Sequence, residues 1–338
     1  MNMSKVLVIH HNDPDGRMGG FIMKKYFEGK EFTVKTMEAD YSTEFNFSKL
    51  LESGDTCCIV DYSLNNHWML DLQHVIDPKN IVWIDHHESA IQKFNKSPLA
   101  DTPLDGIRFI GLSGCELAWI YSQGWREKTP GKMVNINRDA GDLDFTDIYD
   151  IEIPKAVALI GDFDCWRKQF KESDFLVLGI ESVWNKCLLT IDWGVKFWDS
   201  MLHNKENIID IFVARGKIIK EYVDSQNRDH VLKGAFACHI RKFADVKAVA
   251  LNTDSIGSWV FDCVKDKFEV GLVFHYIYRN KSAKMSFSIY RLWLNKTKKI
   301  DVAKIAESFG GGGHADAAGF MTAGSIPFLE IPTRYPEK

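Results

Sequence analysis

The chain of 338 residues contains no C-x-x-C pair, no apolar run near the roughly 20 residues of a membrane span, and no surplus of positive charge. Each absence removes a class of protein. The seven cysteines (Cys57, Cys58, Cys115, Cys165, Cys187, Cys238, Cys263) are odd in number and sit mostly inside apolar runs, so they read as reduced, buried residues and not as a disulfide framework. Lysine and arginine total 42 against 46 acids, a net charge of −4, which supplies no field for non-specific duplex binding, so long double-stranded nucleic acid is not an expected partner. The apolar stretch Val6 to Ile9 is far too short for a signal peptide, and the chain reads as cytoplasmic with no membrane association. No internal repeat or low-complexity tract interrupts a composition that is 45% hydrophobic, enough to bury a sizeable core in two domains or one large one.

Three apolar runs of strand length end on acid or imidazole. Lys5 to Ile9 leads into His10, His11, Asn12, Asp13, Pro14, Asp15 and Gly16. Thr56 to Val60 leads into Asp61, and Asn80 to Ile84 leads into Asp85, His86 and His87. Strands buried on both faces read as continuous hydrophobic runs in parallel sheets, and ligands of open α/β sheets gather outside the carboxyl ends of the strands. The spacing therefore predicts one crevice ringed by Asp13, Asp15, Asp61, Asp85, His86 and His87. A helix over Arg17 to Glu28, a second beginning after Asn65 or Asn66, and a third capped by Ser113 alternate with these strands, as a mostly parallel α/β sheet requires.

Clustered carboxylates cannot all stay ionised without cations, so the economical explanation of the crevice is a divalent metal site. Carboxylate and imidazole donors suit Mn²⁺, Mg²⁺ or Fe²⁺, and two such ions about 3.5 to 4 Å apart generate hydroxide near neutral pH and neutralise phosphoryl charge. A fourth acidic end follows the apolar segment Ala156 to Ile160, where Gly161, Asp162, Phe163 and Asp164 offer two candidates. Asp162 is preferred because it lies directly at the end of the element.

Further along, Asn204 to His230 has the period of a helix with one charged face. Strand-like runs at Ala235 to Ile240, Ala248 to Leu251, Phe268 to Ile277 and Ala283 to Tyr290 then precede a short helix at Val302 to Phe309. Four consecutive glycines, Gly310 to Gly313, are followed by His314; such a run can turn its backbone N–H groups into a concave phosphate nest. Arg291 is a candidate phosphate clamp because guanidinium matches phosphate bidentately. Lys296, Lys298 and Lys299 read as a hairpin tip.

With these motifs in hand, the chain resembles the DHH-family phosphoesterases, named for the triplet that is here Asp85, His86 and His87. Asp13-Pro14-Asp15-Gly16 resembles the family's first motif, Asp61-Tyr62-Ser63 its second, and Gly161 to Asp164 its fourth. The string Gly310 to Phe320 resembles the signature of the DHH-associated C-terminal domain. The resemblance implies an α/β fold. A mostly parallel catalytic domain (1–203) would be joined by a linking helix (204–234) to a smaller α/β, glycine-rich substrate-binding domain (235–338). It also implies a pair of Mn²⁺ ions, with Mg²⁺ or Co²⁺ as substitutes, held by Asp13, Asp15, Asp61, His86 and Asp162, with Asp61 bridging. His87 would sit beside the phosphate and Asp85 would support the histidines. Many members place a ligand histidine four residues before the first acid, where this chain has Ile9; His11, two residues before Asp13, takes that place as ligand or as a hydrogen-bonding neighbour of one. Gly311, Gly312, Gly313, His314 and Arg291 would contact substrate.

The function implied is a metal-dependent phosphodiesterase on short oligonucleotides or small nucleotides, of the oligoribonuclease or exonuclease kind, and a homodimer is compatible with it. The alternatives are a hydrolase of cyclic dinucleotides or 3′-phosphoadenosine phosphate, or a nucleotide sensor that does not hydrolyse. The glycine-rich tail argues against family II pyrophosphatases, and the length argues against the larger RecJ-type exonucleases with their added OB fold.

Overall fold

Alternate residues of the first strand, β1 (Lys5–His11), serve two different cores. Val6 and Val8 pack into one hydrophobic cluster and Leu7 and Ile9 into another, all of them fully buried. The same alternation runs through β3 (Thr56–Val60) and β4 (Ile81–Ile84), where Cys58, Val60, Val82 and Ile84 face one way and Cys57, Ile59, Ile81 and Trp83 the other. Each fully buried aliphatic side chain is worth about 1.5–3 kcal/mol relative to exposure, so these uninterrupted runs commit the segments to a central sheet covered on both faces.

The computed structural model describes residues 5–124, 151–183, 194–254, 257–279, 282–292, 300–323 and 328–334. Lys296, Lys298 and Lys299 lie outside them. The chain divides into two compact units, Met1–Ile219 and Lys220–Lys338.

In the first unit the sheet is parallel throughout, in the order β2-β1-β3-β4, with β2 spanning Thr33–Ala39. One face is covered by α1 (Pro14–Glu28), α5 (Gly114–Ser122), α6 (Lys155–Asp164), α7 (Glu172–Glu181) and α8 (Val195–Leu202). The other carries α2 (Phe47–Leu50), α3 (Asn66–Val75) and α4 (Glu88–Asn95). After β1 the chain goes to one side of the sheet to form β2 and then returns to the other side for β3. The gap between β1 and β3 is therefore the topological switch point, where open α/β sheets form their ligand crevice. Ser113 caps α5 as the sequence suggests, in a full capping box with Glu116.

The division between the units falls inside one continuous helix, α9 (Ile208–Gly234). Beyond it the second unit has a seven-stranded sheet ordered β11-β5-β6-β7-β8-β10-β9. Its strands are β5 (Phe236–Ile240), β6 (Phe243–Asn252), β7 (Val270–Arg279), β8 (Ser282–Arg291), β9 (Gly312–Gly313), β10 (Ala317–Thr322) and β11 (Phe328–Arg334). All pairs are antiparallel except β6 with β7. A short helix, α10 (Val302–Glu307), buries Val302, Ile305 and Ala306 against one face. The fold class is α/β, with the parallel sheet that the hydrophobic runs require. No helix among the described residues is long and apolar enough to cross a membrane.

Candidate metal centre

Hydrogen bonds position each acidic strand end, and at Asp13, Asp15 and Asp85 they reach the carboxylate itself. Asp13 caps α1: its Oδ1 accepts from the Gly16 amide at 2.8 Å, and its Oδ2 lies 2.6 Å from His11 Nδ1. Asp15, one turn position further, is 1% exposed and accepts from the amides of Gly114 (2.7 Å) and Cys115 (3.0 Å) at the N-terminus of α5. A helix start favours negative charge there. A Cβ at position 114 would stand 2.3 Å from Asp61 Cβ and 3.0 Å from Asp15 Oδ2, so only glycine lets the helix approach both acids.

Asp61 follows β3 with φ +52°, a left-handed conformation that costs a non-glycine residue about 1–3 kcal/mol and is best tolerated by Asp and Asn. Its amide donates to Ile84 O at 2.9 Å, which ties the turn to the neighbouring strand. Its Oδ2 is buried with no hydrogen-bond partner. Burial, followed by the charges of Asp15, Asp13, Asp164 and Asp85, pushes the Asp61 carboxyl well above its ordinary range.

Asp85 plays a different part. Its Oδ1 accepts from the amides of His86 (2.8 Å) and His87 (3.2 Å) and meets His87 Nδ1 at 2.7 Å, and Ser63 Oγ donates to its Oδ2. Burial alone would raise this carboxyl, but His87, His86 and Ser63 outweigh it and hold it below the usual range. For His87 the balance has the opposite outcome: burial lowers it, yet Asp85, Asp164 and Asp13 lift it to about 9. His86 falls to about 4 through burial and the nearby His87 charge, and the neutral imidazole is the form that ligates metals. Its Nε2 lies 3.1 Å from Asp61 Oδ1, 3.3 Å from Asp164 Oδ2 and 4.0 Å from Asp15 Oδ2.

The fourth motif is corrected by the structure. Asp162 is fully buried but turned away from the crevice: Oδ1 accepts from the Gln169 amide (2.8 Å), and Oδ2 accepts from the Phe170 amide (3.2 Å) and Ser173 Oγ (2.6 Å). With its oxygens engaged in folding the turn before α7, Asp162 joins none of the ligand triplets found among the described residues. Asp164 is the acid that reaches His86, and burial with the charges of Asp15 and Asp13 pushes it well above the ordinary range. Helical period accounts for the outcome once the packing of α6 on α5 is known. Val157 O accepts from Cys115 Sγ at 3.7 Å, and Asp164 lies two turns further along the same face, whereas Asp162 does not.

Four triplets in the first unit bring ligand atoms within 4.8 Å of one another: His11, Asp13 and Asp61; Asp15, Asp61 and His86; Asp61, Asp85 and His87; and His86, Asp164 and Cys165. Asp61 belongs to three of them. The structure therefore brings together His11, Asp13, Asp15, Asp61, Asp85, His86 and His87, adds Asp164 and Cys165, and leaves out Asp162. Cys165, whose Sγ lies 3.8 Å from His86 Nδ1, and Gly114 went unnoticed in the sequence. Beneath Asp15, the Glu116 carboxylate is 3% exposed and takes a bidentate pair from Arg167 (2.7 and 2.9 Å), which ties α5 to the turn after α6.

In the second unit the glycine run makes a strand and not an open nest. Gly312 and Gly313 pair with Gly319 and Ala318 of β10, while the amides of Gly310, Gly311 and His314 donate to Glu307, Ala306 and Ala317. The Arg291 guanidinium, a third exposed, pairs with Asp316, and its amide donates to Asp316 O at 2.9 Å.

No family model matches the chain. An uncharacterized protein of Acanthamoeba polyphaga mimivirus is 23% identical over 353 aligned residues, covering 96% of this chain and 70% of that protein. Among solved structures, a pGpG-specific phosphodiesterase, PggH, from Vibrio cholerae shares 12% identity at a TM-score of 0.46, covering 95% of this chain and 93% of its own. The exonuclease RecJ bound to manganese shares 15% identity at a TM-score of 0.43, covering 94% and 85%. Likenesses this low add nothing to what the site itself shows.

Proposed function

We propose that the chain is a metal-dependent phosphoesterase that hydrolyses phosphodiester bonds in short oligonucleotides or small nucleotides. The observation that carries this reading is the Asp61 carboxylate, buried with an unpartnered oxygen among Asp13, Asp15 and Asp164. The folded protein can keep such a group charged only with cations beside it. The donors fit divalent ions: Asp13, Asp15, Asp61, His86 and Asp164 would hold them, with His11 beside Asp13 as a further donor, and Asp61 would be shared between the two positions. Bound there, Mn²⁺ or Mg²⁺ would supply hydroxide near neutral pH and neutralise phosphoryl charge.

The chain's own residues supply the remainder. Asp85 fixes His87 through Nδ1 and favours its protonated form, so His87 would pair with the substrate phosphate and give a proton to the leaving oxygen. Gly114 and Cys115 present their amides to Asp15 and keep it from drifting as charge develops. In the second unit, Arg291, Gly311, Gly312, Gly313 and His314 are proposed to contact the nucleotide, Arg291 in exchange for its pairing with Asp316. A cytoplasmic location belongs to the same reading.

The test is incubation of purified protein with Mn²⁺ and a labelled dinucleotide, with separation of mononucleotide products. Release that depends on metal and disappears in the Asp85→Ala, His86→Ala double variant is expected. Full activity in that variant would overturn the site assignment.

A further inference from the structure

The turn directly after β2 carries a tyrosine that the metal chemistry does not use. Tyr41 is 73% exposed, although its ring belongs to an aromatic cluster that reaches into the core. Its centroid lies 5.8 Å from that of Tyr62, which is 4% exposed, and 6.0 Å from that of His11; the His11 and Tyr62 rings are near-parallel, 16° apart, at 6.5 Å. His11 is in turn 2.6 Å from Asp13 Oδ2. A single exposed aromatic is ordinary on a protein surface. This one stands one ring away from the acidic cluster.

Its backbone is also held firmly. Asp40 Oδ1 accepts from the Ser42 amide (2.8 Å) and Ser42 Oγ (2.6 Å), the Asp40 amide donates to Thr43 Oγ1 (2.9 Å), and the Thr43 amide donates to Asp40 O (3.0 Å). From below, the Tyr62 hydroxyl donates to the same Asp40 O at 3.0 Å. Five hydrogen bonds thus set the turn that carries Tyr41, so little ordering remains to be done when a flat ligand arrives. Apolar burial does not explain the ring's position, because most of its surface faces water.

We infer that Tyr41 is a stacking platform for a nucleobase of the substrate, next to the phosphate that the acidic cluster receives. The inference rests on the phosphodiesterase reading and adds a binding subsite to it. Stacking tolerates any base, since every base presents a π face, so the subsite would set substrate class and alignment without dictating sequence. His11 and Tyr62 fix the platform from one side and leave the other to the ligand.

The experiment compares wild type, Tyr41→Phe and Tyr41→Ala on a dinucleotide and on the same phosphodiester lacking the base next to the scissile bond, all with Mn²⁺. Tyr41→Ala is expected to raise KM for the dinucleotide about tenfold while kcat stays within about twofold and the base-free compound is unaffected; Tyr41→Phe should match wild type. A second readout needs no turnover. In a His87→Gln background, fluorescence of a 2-aminopurine dinucleotide should be quenched with tyrosine or phenylalanine at position 41 and not with alanine. Equal losses on both substrates, a Tyr41→Phe variant as impaired as Tyr41→Ala, or quenching that survives in Tyr41→Ala would overturn the stacking assignment while leaving the phosphodiesterase reading intact. A wild-type protein that cleaves neither compound would remove that reading, and this subsite with it.

Discussion

The acidic strand ends of the first unit and the glycine turn of the second handle polar groups in opposite ways. Around β1, β3 and β4 the fold gathers carboxylates, buries them and leaves an oxygen of Asp61 without a hydrogen bond. Around β9, the amides of Gly310, Gly311 and His314 donate within the chain, and Arg291 is matched by Asp316. Buried polar groups ordinarily find partners, so on the proposed reading a cation at the acidic cluster would add stability as well as chemistry, whereas the glycine turn needs no ligand to satisfy those amides.

The largest effect expected from breaking this contrast is at Asp61. An Asp61→Ala variant should lose at least about 1,000-fold in kcat/KM, near 4 kcal/mol of transition-state stabilisation, on a dinucleotide with Mn²⁺. An Asp61→Asn variant, which keeps a side chain suited to φ +52°, should melt without metal no lower than wild type, because the buried charge has gone. Gly114→Ala comes next. The new methyl group cannot coexist with Asp61 Cβ at 2.3 Å, so the acids must shift, and a displacement approaching 1 Å costs about 100-fold in rate.

Metal itself sharpens the comparison. Adding Mn²⁺ at about 100 times its Kd should raise the unfolding free energy of the wild type by about 2.7 kcal/mol, measured by chemical denaturation, and should leave Asp61→Ala nearly unchanged. The two acids of the fourth motif should then separate. Asp162→Ala orphans the amides of Gln169 and Phe170 and should cost about 1–3 kcal/mol of stability, whereas Asp164→Asn should keep stability and weaken Mn²⁺ binding in calorimetry. The smallest effects belong to the glycine turn. Gly312→Ala meets nothing within 4 Å and should stay within about 0.5 kcal/mol. Gly313→Ala, at φ +144° with a Cβ 2.6 Å from Ala318 Cα, should cost more, by thermal melting.

The parallel sheet was legible because strands buried on both faces have to be apolar throughout, and Val6 to Ile9, Thr56 to Val60 and Ile81 to Ile84 are so nearly uniform that few other folds could use them. The crevice followed from where those runs stop. The choice between Asp162 and Asp164 was not legible from position along the chain, since it depends on which face of α6 meets Cys115, a contact between segments far apart in sequence. The glycine run misled for a related reason. Four glycines in succession look like an open cradle until β10 is seen to lie close enough to Gly311 and Gly313 to exclude any side chain. Gly114 carried no local signal, as its necessity comes from the approach of two acids about 50 and 100 residues away.

The grip of α5 on Asp15 has a consequence for how this protein can change over time. The two groups that hold the acid are peptide amides of Gly114 and Cys115, and no codon substitution other than one to proline removes a peptide N–H. The outer surface of that helix is therefore free to drift widely while the anchor persists. Only loss of the single empty position at 114, or a proline at 115, would dislodge it.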